Sequence, residues 1–160
     1  MGTCSMSRSR PPFMTKPPPS PPAVSQSSPG TTVLVVDDDV MVLQAVVILL
    51  EDHGFNVLAA VDGDQGLREY RTHRPDVILT DIIMPQKEGI SLIRDLRREF
   101  PEAKIVAMSG GGRVGNSDYI TIAKALGADT GLNKPFDEDQ LIETLQMLLR
   151  PEKSAQVSAA

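Results

Sequence analysis

Six polar side chains stand where apolar runs stop. Asp37, Asp38 and Asp39 follow "VLVV", Asp81 closes "VILTD", Ser109 closes "IVAMS", and Lys134 closes "LNK" just before Pro135. Two carboxylates roughly 4 Å apart repel by about 4 kcal/mol at an effective dielectric of 20, so clustered aspartates need a compensating positive charge or open water. A divalent cation supplies that charge. Mg²⁺ suits it best, because it accepts carboxylate and carbonyl oxygens, keeps several waters, and commonly binds alongside phosphate. An ammonium group and a hydroxyl then meet the remaining oxygens of a phosphoryl group. Each residue alone has a plainer reading: an aspartate caps a helix, a serine caps a loop, a lysine offsets an acidic field. Four coincident run ends are harder to explain that way.

The elements that must position these groups follow from the alternation of the chain. Short apolar runs at 33–36, 56–60, 76–80, 104–108 and 130–133 read as strands, the last the weakest. Helical segments are predicted between and after them at 40–53, 63–73, 88–100, 117–126 and 138–149. Gly54, Pro75, Pro101 and Gly127 punctuate the first four, and Asp137 with Gln140 opens the fifth as a near capping box. Five strand–helix repeats predict a doubly wound α/β fold with a parallel sheet. Such sheets bind ligands beyond the carboxyl ends of their strands. If the strands are neighbours, the aspartates, Ser109 and Lys134 share that rim.

Composition narrows the function. The 160 residues suffice for one domain with a core, which must be aliphatic because aromatics make up only 4%. The lone Cys4 excludes a disulfide framework and fits a reducing, cytoplasmic compartment. No apolar run reaches the roughly 18 residues of a membrane span, and the N-terminus has no signal-peptide core. The first 36 residues carry Arg8, Arg10 and Lys16 and no acid, leaving 13 basic against 21 acidic side chains beyond them, a net of −8. That balance disfavours direct nucleic-acid binding. Residues 1–30, with eight Pro and seven Ser, read as a disordered tail, and 151–160 as a second short tail around a domain at 31–150.

The stretches "VLVVDDD", "VILTDIIMPQKEG", "IVAMSG" and "GADTGLNKPF", in this order, resemble the response-regulator receiver domain, the CheY-like module of two-component signalling. The resemblance covers about residues 31–150. It implies a five-stranded flavodoxin-like sheet of order 2-1-3-4-5. It implies that Asp81 accepts a phosphoryl group from a histidine kinase or phosphotransfer protein. Mg²⁺ would be held by Asp37, Asp38, Asp81 and the main-chain carbonyl of Ile83. Ser109 would be the switch hydroxyl, Lys134 the lysine paired with the phosphoryl group, and the bond before Pro135 cis. Asp39 falls outside the acidic pair and is read as a helix cap. The domain would signal through protein contacts to an unspecified target, first sought on the face of 116–126, and would not be an enzyme in its own right.

The sequence also departs from that pattern. Where the family places an aromatic residue or His three positions before the lysine, this chain has Gly131. Lys87 stands where an apolar residue is more usual, and is expected to be exposed. Gly110, Gly112 and Gly115 spell GxGxxG, but after the fourth strand and without the acid a dinucleotide site requires. "VLVVDDDV" also fits a dehalogenase-type phosphatase, with Asp37 as nucleophile and Asp39 as acid/base, though that scheme leaves Asp81 unused. A receiver-like platform that no longer cycles phosphate is a third alternative. His53 and His73 fall near helix C-termini, where the dipole favours an imidazolium.

Overall fold

The computed structural model describes Gly2 and residues 30–84, 89–110 and 116–151. Lys87, Gly112, Gly115 and nearly all of both expected tails lie outside the described residues. Five strands, β1 (Thr32–Val36), β2 (Asn56–Ala60), β3 (Val77–Asp81), β4 (Ile105–Gly110) and β5 (Thr130–Lys134), alternate with five helices. These are α1 (Val40–Asp52), α2 (Gly63–His73), α3 (Gly89–Glu99), α4 (Asn116–Leu126) and α5 (Glu138–Leu149). The strands form one parallel sheet in the order β2-β1-β3-β4-β5.

Alternation along the central strands divides the core into two layers. Val33, Val35, Val77, Leu79, Val106 and Met108 point to the layer closed by α1 and α5, through Leu43, Val46, Leu50, Leu141 and Leu145. Leu34, Val36, Ile78, Ile105 and Ala107 point the opposite way, toward Leu67, Leu92, Ile93, Leu96 and Ala123 of α2, α3 and α4. The central strands are therefore apolar on both faces, as strands covered on both sides must be. Each such side chain removed from water contributes about 1.5–3 kcal/mol. Both edge strands are only partly covered, which is why β5 shows so faint an apolar pattern.

Helix ends carry the expected capping chemistry. Asp39 accepts from the amides of Met41 (3.0 Å) and Val42 (3.3 Å) at the start of α1. Asp137 and Gln140 form a complete capping box on α5. Arg74, in a left-handed conformation after α2 (φ 50°), lays its guanidinium 3.9 Å over the Phe100 ring. His53 caps α1, its Nδ1 2.9 Å from the Leu49 carbonyl and its Nε2 3.1 Å from Glu138, while His73 pairs with Glu69 one turn back. Several boundaries shift by a residue or two from expectation: Asp81 is the last residue of β3, β4 continues through Ser109 to Gly110, and β5 ends on Lys134. These strand-end residues are thus held by ladder pairing.

Candidate functional site

Register brings the first two carboxylates together. Val36 of β1 lies opposite Thr80 of β3, so Asp37 emerges beside Asp81. One oxygen each of Asp37, Asp38 and Asp81 lies within 4.8 Å of the others. Asp37 and Asp81 are buried and Asp38 is exposed. Like charges at that separation repel by about 3.5 kcal/mol at an effective dielectric of 20, so the cluster requires cationic help.

Lys134 provides part of it. Its Nζ donates a short hydrogen bond to Asp37 Oδ2 and stands 3.4 Å from Asp81 Oδ2, bridging the two acids. The remaining oxygens use main-chain donors: the amide of Asp39 donates to Asp37 Oδ1 (3.0 Å) and that of Ile83 to Asp81 Oδ1 (3.2 Å). One lysine does not neutralise the site. Burial pushes the Asp81 carboxyl above its ordinary 3.8, against the lowering pull of Lys134 and with a further upward push from Asp37. The donor set, three carboxylates open on one side, is that of a hard cation with oxygen preference.

Ser109 completes the rim. Paired with Asn133 of β5, it is fully buried, and its Oγ is the one buried side-chain polar atom without a partner among the described residues. A buried hydroxyl left so costs about 1–3 kcal/mol. An acceptor arriving at the Asp81 end of the sheet would recover that cost. The Lys134–Pro135 bond is cis, as expected.

The structure brings together Asp37, Asp38, Asp81 and Lys134, with the Ile83 amide on Asp81, and sets Ser109 one residue beyond the β4 partner of Asp81. It leaves Asp39 outside the carboxylate cluster, as the cap of α1. Gly89 is a functional position that sequence reasoning misses. A methyl group there would stand 1.8 Å from the Asp81 carbonyl oxygen, so the chain passes under the aspartate only as glycine. The available signal is the final residue of "MPQKEG", eight positions after Asp81.

Comparison with known proteins agrees with this geometry. Residues 33–146 match the family described as "Response regulator receiver domain". The chain is 36% identical over 103 residues to the transcriptional regulatory protein CseB of Streptomyces coelicolor, covering 64% of this chain and 42% of that protein. It is 30% identical over 102 residues to the chemotaxis protein CheY of Bacillus subtilis, covering 63% of this chain and 82% of CheY. Among solved structures, Vibrio cholerae CheY4 superposes with a TM-score of 0.67 at 31% identity, over 74% of this chain and 98% of that one. A receiver domain protein from Clostridium thermocellum gives 0.69 at 29%, over 74% and 93%. The chain thus spans under half the length of the transcriptional regulators it matches.

Proposed function

We propose, for a chain that belongs to the response regulator receiver domain family of two-component systems, that Asp81 is the phosphoacceptor and that the protein signals by gaining and losing a phosphoryl group there. The supporting observation is the convergence of three carboxylates, a bridging lysine and an unpartnered buried hydroxyl at one rim.

In this reading an Asp81 carboxylate oxygen attacks the phosphorus of a phosphohistidine on a kinase or phosphotransfer protein. A P–O bond forms, the P–N bond breaks, and the imidazole leaves with the electron pair. Mg²⁺, held by Asp37, Asp38, Asp81 and the Ile83 carbonyl, would supply electrostatic stabilisation of the transferring group. Lys134 neutralises a phosphoryl oxygen in addition to Asp37. Ser109 donates its hydroxyl to another, gaining the partner it lacks. Water later attacks phosphorus and restores the carboxylate, so the domain acts as a timed acceptor and no separate substrate is turned over. Output passes through protein contacts, with α4 and the neighbouring β5 edge as the first candidate face. The acidic excess of the folded part argues against direct phosphate-backbone binding by this domain. Among the described residues no helix is long and apolar enough to cross a membrane.

Acetyl phosphate with Mg²⁺, read by intact-protein mass, tests the proposal. A gain of one phosphoryl group, base-labile and absent in Asp81→Asn, is expected. Hydrolysis of free phosphomonoesters dependent on Asp37 would establish the phosphatase alternative. No gain and no metal response would leave a binding platform and overturn the proposal.

A further inference from the structure

Gly131 offers no side chain to the space between β5 and α4, and that space is already taken. A methyl group at 131 would lie 2.5 Å from Cγ2 of Ile120 and 3.1–3.2 Å from its Cγ1 and Cδ1. Ile120 of α4 is seated over Gly131 of β5, so a ring at 131 does not fit while Ile120 keeps this place. The preceding helix position is rotated by about 100°, and it holds Tyr119. This ring, together with Ile82, Ile83, Met84 and Ile90, lines a cavity of about 140 Å³. An enclosed apolar cavity of about 150 Å³ accommodates a benzene ring, so this partly open cleft is close to the size of an aromatic side chain.

The cavity wall is continuous with the acidic site. The Ile83 amide donates to Asp81 Oδ1, the Ile82 amide to the Met108 carbonyl (2.9 Å), and the Gly89 amide to the Ile82 carbonyl (3.0 Å). A change in what Asp81 accepts therefore changes the Ile83 turn, and with it the shape of the cavity that Tyr119 lines. Tyr119 also packs against the core layer beneath α4.

We propose that Tyr119 is the aromatic positioning residue of this chain: facing Ile83 and Met84 across the cavity they share, it links the state of Asp81 to the placement of α4. This rests on the receiver reading above, and the linkage must be reciprocal, since a group that lets Asp81 move α4 also lets α4 set affinity at Asp81.

The chain has two tyrosines and no tryptophan. Tyr70 lies buried against Phe100, with ring centroids 5.0 Å apart, on α2. Tyr70→Phe therefore leaves Tyr119 as the sole tyrosine fluorophore. Mg²⁺ and beryllofluoride are added to it while ¹⁹F NMR reports bound beryllofluoride independently. A tyrosine emission change that follows the bound ¹⁹F signal is expected. In the otherwise native chain, Tyr119→Ala should shift beryllofluoride affinity about fivefold or more and abolish the ligand-induced change in α4 amide exchange, while Tyr119→Phe should stay within about twofold of native. Bound ¹⁹F signal with unaltered Tyr119 emission overturns the proposal and leaves the receiver reading intact. So does a Tyr119→Ala protein whose α4 exchange still responds fully. Absence of bound ¹⁹F signal in the native chain overturns both. The emission measurement needs no substitution at 119, so a Tyr119→Ala protein that failed to fold would not protect the idea.

Discussion

The two ends of the sheet use charge in opposite ways. At the amino ends of β4 and β5, Asp129 accepts from the Ile105 amide (2.7 Å) and from Arg97 Nη2 (3.1 Å), and Arg97 also donates to the Gly127 and Pro101 carbonyls. Nearby, Arg71 holds Glu99 through two hydrogen bonds. Each carboxylate there has matched donors. At the carboxyl ends, three carboxylates share one lysine and a buried hydroxyl has no partner. Satisfied charge fastens helices to the sheet, and under-compensated charge marks the site proposed above for a cation and a phosphoryl group. The contrast between poles locates the candidate site more sharply than the residue types alone, since both ends set Asp beside a basic side chain.

Substitutions should divide along the same line. The largest loss is expected for Lys134→Met in EDTA, about 3 kcal/mol, because removing one partner strands buried opposite charge. Added Mg²⁺ should recover much of it, and urea titrations with and without metal would test that; a loss indifferent to metal would contradict the shared role of lysine and cation. At the other pole, Asp129→Ala should cost about 2 kcal/mol, the worth of hydrogen bonds to an ionised group, with no dependence on Mg²⁺.

Asp81→Asn should act in the reverse sense, stabilising the metal-free fold by about 1 kcal/mol. Burial raises the folded carboxyl above its unfolded 3.8, so the favourable contribution of Asp81 is complete below that pH and is lost as pH rises through the folded value. The gain from Asn should therefore be present at neutral pH and vanish on acidification toward 3.8, which paired denaturation midpoints across that range would reveal. Ser109→Ala should give the smallest change, a gain of about 1 kcal/mol or less, because it removes a hydroxyl with no partner. A clear destabilisation on thermal melting would mean that the hydroxyl is satisfied in the resting protein.

Much of this architecture is legible in the order of the residues. Parallel strands direct their last residues to one rim, so Asp37, Asp81, Ser109 and Lys134 can be grouped from their positions after apolar runs. The Asp39 cap and the Asp137–Gln140 box follow from local hydrogen bonding within three or four residues. Contacts between distant, non-repeating partners leave no such trace. Nothing in the sequence says that Ile120 fills the space above Gly131, that Gly89 clears the Asp81 carbonyl, or that Arg97 reaches thirty residues ahead to Gly127. Strand β5 is faint because an edge strand with Thr130 and Gly131 half-covered shows little apolar contrast.

The pairing of Val36 with Thr80 makes β1 and β3 act as a ruler for the two halves of the acidic site. An extra residue within either strand would slide one carboxylate past the other by about 3.3 Å and turn its neighbours to the opposite face. Length can therefore vary in the turns at the amino pole, but not in the five residues of β1 and the five of β3 that measure the gap. Anyone splicing a foreign segment into this domain should treat those stretches as a fixed gauge.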